Sequence, residues 1–292
     1  MREASSGATT ESATVAHLVA LGYEDPVDAA ARLAVVDQAR QAMLKAAEEL
    51  LKQGDVATAI NSLESMCDDE SEWTAPHHLL ARAYYRAGRW DAADTRLHWL
   101  ECQGVEHAEL TLLRAKLALR KRSLDAANDQ AEYAKHLHHP LPAADVLIGE
   151  VEFRRGNLAA AEAAYCRALE VSGPNAAAWA GLAAIALRRN ELGKAIDWSL
   201  QAIEQDPRLP SAHYRLGLAL SELQRPHEAT AALRAAAALN PTLAGPFHWL
   251  ALLASEQGDP LAAEEFRRLG KEIIARRRFQ PPASKPIHLP SF

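Results

Sequence analysis

The chain has 292 residues and a formal net charge of −6, with a pI near 6, which argues against a general nucleic-acid binder. Apolar residues make up 49% and charged ones 24%, a balance that permits a soluble fold, and frequent Ala with modest Gly and Pro favours close-packed helices over strands. No apolar run approaches the length of about 18 residues that a membrane-spanning helix needs, and Cys67, Cys102 and Cys166 are too scattered for a disulfide framework or a zinc pair.

Residues 1–12 are small and polar, and a disordered N-terminus is expected there. They lack the apolar region of a secretory signal, so a complete chain is expected in the cytoplasm. A piece of a longer secreted or membrane enzyme would carry no such expectation. Residues 13–39 read as an N-terminal helical segment. Within it, His17–Tyr23 is a short apolar stretch closed by Gly22. Glu24-Asp25-Pro26 then starts a helix that continues through Ala29, Leu33, Val36 and Arg40.

A period of 34 residues organises the chain from Arg40 onward. Trp179, Leu182, Ala183, Ala195, Ala202 and Pro207 fall on His213, Leu216, Gly217, Ala229, Ala236 and Pro241 when Ala176–Leu209 is laid on Pro210–Leu243. The same ruler runs outward without an insertion through 40–73, 74–107, 108–141, 142–175, 176–209, 210–243 and 244–277. Position 20 of each segment is Ala: Ala59, Ala93, Ala127, Ala161, Ala195, Ala229 and Ala263. Position 8 holds only Ala or Gly: Ala47, Ala81, Ala115, Gly149, Ala183, Gly217 and Ala251. Two helices can cross closely at such positions, because a larger side chain would push their axes apart. Position 7 supplies a larger knob in Leu80, Ile148, Leu182, Leu216 and Leu250, and position 24 adds Leu63, Leu97, Tyr165 and Leu233. Arg114 breaks the pattern at position 7 of the third segment.

Turn chemistry obeys the same ruler. Gly54, Gly88, Gly156 or Gly258 ends the first helix, and Asp55, Ser123, Asn157 and Asp259 are expected as N-caps of the second. Pro226 and Pro260 stand just inside that helix, where a missing N–H is harmless. Pro140, Pro174, Pro207 and Pro241 close their segments. The last helix is expected to extend through Lys271–Arg278 as a solvating cap. Arg276-Arg277-Arg278 would complement its dipole. The four prolines of the 278–292 tail read as an extended end.

This period, with its large residue, Leu-Gly or Leu-Ala pair, two spaced alanines and closing proline, resembles the tetratricopeptide repeat. The resemblance implies an all-α, right-handed α-solenoid of about seven helix-turn-helix units. It also implies that positions 2, 5, 9, 12 and 13 of each first helix line a concave groove. On this chain those positions give an apolar rail of Tyr85, Leu119, Phe153 and Leu187 beside an arginine rail of Arg86, Arg120, Arg154 and Arg188. Arg82 and Lys116 join them at position 9, with His78, Leu112, Val146, Glu150 and Tyr214 also on that surface. Towards the C-terminus the rail changes sign at Glu222 and Glu256. Arginine forks suit carboxylates, so the expected partner is a protein or peptide with acidic side chains. The Asn-containing carboxylate clamp of some family members is absent from the matching positions.

The segment Leu18-Val19-Ala20-Leu21-Gly22-Tyr23 resembles the end of the catalytic domain in bacterial sulfatases and type I phosphodiesterases of the alkaline phosphatase superfamily. Some of those enzymes carry a tetratricopeptide array directly after it. That resemblance implies a non-catalytic accessory region, and transfers no catalytic residue. The sequence contains no phosphate loop, His-Glu-x-x-His or Gly-x-Ser-x-Gly. No catalytic residue, metal or cofactor is therefore expected. His136, His138 and His139 read as solvated helix-end histidines rather than a metal site. The expected function is a non-enzymatic scaffold, with the hydrolase accessory region as the alternative. An RNA-binding solenoid fits less well, because the chain lacks a continuous basic surface.

Overall fold

The computed structural model describes residues 26–67 and 73–278. The expectations for residues 1–12, for His17–Tyr23 and for the tail beyond Arg278 lie outside them. Fourteen helices and no strand occur among the described residues. They are α1 (Pro26–Gln53), α2 (Val56–Cys67), α3 (Thr74–Arg86), α4 (Trp90–Cys102), α5 (Ala108–Arg120), α6 (Leu124–Leu137), α7 (Pro142–Arg155), α8 (Leu158–Ser172), α9 (Ala176–Arg188), α10 (Leu192–Gln205), α11 (Pro210–Glu222), α12 (Pro226–Leu239), α13 (Ala244–Glu256) and α14 (Pro260–Arg278). From Thr74 onward each first helix begins 34 residues after the last, and the second helices keep the same step from Val56. The first helix differs. α1 runs unbroken across Arg40, where the ruler starts its first segment, and its exposed half carries Val35, Val36 and Met43.

The small columns account for the close crossing of helices. All seven alanines at position 20 are fully buried. A Cβ on Gly217 would stand 2.6 Å from Leu233 Cγ and 3.3 Å from the Ala229 carbonyl oxygen. Position 8 therefore abuts positions 20 and 24 of its own repeat, where only a hydrogen or a methyl fits.

The link between paired helices is also uniform. Position 15 has positive φ in all seven segments: Gly54, Gly88, Arg122, Gly156, Asn190, Gln224 and Gly258. Glycine takes this conformation freely, whereas Arg122, Asn190 and Gln224 hold it because the flanking helices impose it. Two expected N-caps need correction. Asp55 and Asp259 accept backbone N–H bonds from Thr58 and Ala262, but Ser123 and Asn157 make no side-chain cap. Asn157 instead donates to Glu152 Oε2 at 2.7 Å. Asn175 is a cap that the period did not single out, accepting from Ala177 and Ala178.

Arg114 is explained by its neighbours. Its guanidinium donates to the Leu97 carbonyl and to Glu101 Oε2, both at 2.8 Å, so it closes the C-terminal turn of α4. Cationic groups are favourable at that end of a helix. The Arg114 hydrogen bond also holds the Glu101 carboxyl below its ordinary value. Leu110, Leu113 and Leu117 supply the apolar contacts of α5 in its place.

The chain divides into two compact units between Lys121 and Arg122, inside the third 34-residue segment. The N-terminal unit contains α1 to α5 and the C-terminal unit α6 to α14. Within each, successive first helices touch while successive second helices do not. The first-helix side is therefore the inner, shorter side of each unit.

Two polar side chains, Asp145 and Ser199, are buried among the described residues of the C-terminal unit. Asp145 is 5% exposed, and its Oδ1 receives Lys135 Nζ at 3.0 Å and Arg167 Nε at 3.2 Å. It ties α6 and α8 to the start of α7. Asp145→Ala is expected to cost about 1.5–3 kcal/mol, the range for losing hydrogen bonds to a charged group. Urea unfolding checks this, and a midpoint shift no larger than that of Asp129→Ala, an exposed acid on α6, would contradict it.

Candidate functional site

In the N-terminal unit, the inner faces of α3 and α5 enclose an open pocket of about 270 Å³ lined by Arg82, Glu109, Leu112, Leu113 and Lys116. Arg82 and Lys116 occupy position 9 of adjacent repeats. Both are exposed, and neither makes a hydrogen bond or an ion pair within 4.0 Å among the described residues. Leu112 and Leu113 are buried and form an apolar floor. The walls desolvate Lys116 and push its ammonium below the ordinary lysine value. Arg82 adds to that shift, while Glu109 opposes it. His78 stands at the rim, 3.7 Å from Glu109, with its ring 5.8 Å from that of His107. Its Nε2 is buried without a hydrogen bond, and desolvation pushes its pKa down. The pocket offers two cations and the Glu109 carboxylate above an apolar base.

The arginine rail is not a row of free guanidinium groups. Arg86 donates to the Leu51 carbonyl and closes the end of α1. Arg120 lies 5.8 Å from the Trp90 ring centre. In the C-terminal unit, Arg154 donates to Glu150 Oε1 at 2.7 Å, and Arg188 lies 5.7 Å from the Phe153 ring centre. Arg86 and Arg188 each reach position 12 of the preceding repeat, so the two rails are braced against one another. Leu119 also departs from expectation. It is 5% exposed and belongs to the core, although Arg120 and Lys121 beside it are exposed. Tyr85, Phe153 and Leu187 are half-buried. His136, His138 and His139 are exposed around the end of α6, and no group of three metal-ligating residues occurs among the described residues.

Sequence reasoning missed a cluster in the C-terminal unit. The Tyr165 ring is wedged against two helices that carry glycine there. A Cβ on Gly149 of α7 would stand 2.7 Å from it and one on Gly181 of α9 2.3 Å. The ring is 2% exposed. Its hydroxyl stands in the field of Glu150, Arg215 and Arg154, and burial pushes its pKa up. Arg215, at position 6 of α11, is half-buried. Its walls desolvate it and lower its pKa, against the pull of Glu150, Tyr165 and Tyr214. Tyr214 receives a hydrogen bond from the Trp249 indole, and Gly245 leaves room for its hydroxyl, which a Cβ would meet at 2.8 Å. Position 6 is not among the groove positions that the resemblance implies, so no sequence signal marked Arg215.

The helix pairs, their inner faces and the repeated turn define a helical-repeat solenoid. Tetratricopeptide repeat models match residues 146–210 and 210–243; the chain carries tetratricopeptide repeats there. The matches do not reach Leu18–Tyr23. No curated protein matches the chain in sequence. Among solved structures, a chain of the APC/C hetero-tetramer Cut9–Hcn1 aligns over 78% of this chain with a TM-score of 0.60 and 16% identity. This chain spans 42% of that one's length. A tetratricopeptide repeat protein from Parabacteroides merdae aligns over 81% of this chain and 93% of its own, with a TM-score of 0.58 and 15% identity. Likeness at these identities concerns the fold alone. No helix among the described residues is long and apolar enough to cross a membrane.

Proposed function

We propose that the chain is a non-enzymatic scaffold that holds a partner protein or peptide on its inner first-helix faces, with an acidic side chain of the partner seated between Arg82 and Lys116. The carrying observation is the pocket itself. Two adjacent repeats aim unpaired cations at one opening above Leu112 and Leu113. Two like charges at one opening repel each other until an anion neutralises them. A carboxylate in that place gains charge-assisted hydrogen bonds, while an apolar neighbour in the peptide covers the leucine floor. The position-13 arginines contribute less to this reading, because each already has a partner within the chain.

The test is capture of a partner from the native cell by the full chain and by the double variant Arg82→Glu, Lys116→Glu. Each lost charge-assisted contact is worth about tenfold to a hundredfold in affinity. The double variant is expected to release the partner with helicity unchanged, and the wild-type complex to weaken as salt is raised. Undiminished capture by the double variant overturns the assignment.

A further inference from the structure

We propose that Glu109 makes the Arg82–Lys116 pocket bipolar, so that the segment it takes carries a basic side chain two positions from the acidic one along an extended peptide. This rests on the reading that an acidic side chain sits between Arg82 and Lys116, and adds the second residue of the ligand.

The order of residues on α5 sets the charges apart. Glu109, Leu112 and Lys116 all line the pocket. Their spacings of three and four residues place them in one row on one face of the helix. Glu109 and Lys116 are therefore two turns, or about 10 Å, apart along the axis. On α3, Glu109 approaches His78 to 3.7 Å, and Arg82 stands one turn further on. Both cations are thus displaced from the carboxylate, with Leu112 between the two ends.

The carboxylate lacks a charged partner of its own. Among the described residues no basic side chain other than His78 comes within 4.0 Å of it. Desolvation keeps the His78 imidazole below its ordinary value, so at neutral pH it carries no charge to offer.

That polarity selects the occupant. A ligand acidic throughout would set its second carboxylate against Glu109 and be repelled. In an extended peptide alternate side chains point to the same side, about 7 Å apart at the backbone. The flexible stems of an acidic and a basic residue can splay over the remaining distance, and the methylenes of Lys or Arg can lie on Leu112 with the charged head at Glu109. A carboxylate in the first turn also suits the dipole of α5, but that role predicts no preference among ligands.

The experiment titrates the full chain with pentapeptides that carry a neutral dye at one end and a block at the other, and reads fluorescence anisotropy. The probes are Ala-Glu-Ala-Lys-Ala, Ala-Glu-Ala-Gln-Ala, Ala-Gln-Ala-Lys-Ala and Ala-Glu-Ala-Glu-Ala, each also in reversed order. Glu109 is 60% exposed, so its pair with the ligand Lys is a surface ion pair. The Glu-Ala-Lys peptide is expected to bind about twofold to fivefold more tightly than its Glu-Ala-Gln counterpart. Glu109→Gln should erase that preference, and Glu109→Lys should invert it in favour of Glu-Ala-Glu. Equal affinity for the Lys and Gln peptides in the wild-type chain overturns the inference without any variant having to fold, as does a preference that survives in Glu109→Gln. If that happens while Ala-Gln-Ala-Lys-Ala binds more weakly than Ala-Glu-Ala-Lys-Ala, the acidic side chain stands and only the basic one falls. If those two peptides bind alike, both readings fall.

Discussion

Tyr165→Ala is expected to lower the unfolding free energy by about 3–5 kcal/mol, the range for removing a buried aromatic side chain. A domain of ordinary stability has only about 5–15 kcal/mol in total. The loss should be large because the surroundings cannot collapse into the space. Two glycines face the ring, so at those contacts neither α7 nor α9 offers a side chain that could fill the space. Val146, Phe153 and Leu182 pack around it in a single cluster and would line the void. In a repeat array stability is carried by nearest-neighbour interfaces, so hydrogen exchange should rise first in α7, α8 and α9. Tyr165→Phe separates packing from polarity. It keeps the ring and removes only the hydroxyl, and should cost less than about 1 kcal/mol. Urea denaturation of the three chains measures both effects. An alanine variant within about 1 kcal/mol of the phenylalanine variant would show that the ring is not the keystone of this interface.

Gly181→Ala is the second large effect, and its sign is the informative part. In a helix, alanine is favoured over glycine by about 1 kcal/mol. At Gly181, however, the new Cβ falls 2.3 to 2.5 Å from three carbons of the Tyr165 ring. The ring cannot simply withdraw, since its other contact is the backbone of α7 at Gly149. Overpacking costs about 1–3 kcal/mol, which exceeds the propensity gain and leaves a net loss. Gly193 is the control. It also lies in a helix, but a Cβ there meets no heavy atom within 4 Å, so Gly193→Ala should be neutral or raise stability by up to about 1 kcal/mol. Combining Gly181→Ala with Tyr165→Leu should recover part of the loss, because the two sites are in contact and their effects do not add. Gly181→Ala and Gly193→Ala shifting the urea midpoint in the same direction would defeat the explanation.

These expectations depend on features that were unequally legible in the sequence. The alanine column at position 20 and the Ala/Gly column at position 8 could be read because close helix crossing restricts the residue type itself. Much of the turn was readable for the same reason, wherever glycine marks it. At Arg122, Asn190 and Gln224 the backbone takes the same left-handed form, yet the residue type gives no sign, since the flanking helices enforce the geometry. Ser123 and Asn157 show the converse case. Both are favourable cap residues, but Asn157 has a better acceptor in Glu152, and composition cannot reveal such competition.

The candidate site divides along similar lines. Arg82 and Lys116 were visible as a column on an inner face. Their lack of partners and the pocket between them required coordinates. The position-13 arginines formed an equally clear column, but their engagement with Leu51, Trp90, Glu150 and Phe153 involves residues outside any single column. Arg215 was the least legible, because the carboxylate whose field it feels lies two repeats earlier on a different helix.

The left-handed residue at position 15 has a consequence for the whole architecture. Seven turns of one shape, four built on glycine and three on other residues, make the joint between paired helices indifferent to what the helices carry. Each 34-residue segment is therefore a cassette with a standard joint, although a large side chain such as Tyr165 still needs Gly181 of the next segment to make room for it. Its inner face can diversify while the hinge, the handover and the spacing to the next cassette stay constant. Arg82 and Lys116 stand in adjacent cassettes, so either could change its chemistry without re-engineering the frame that holds the other.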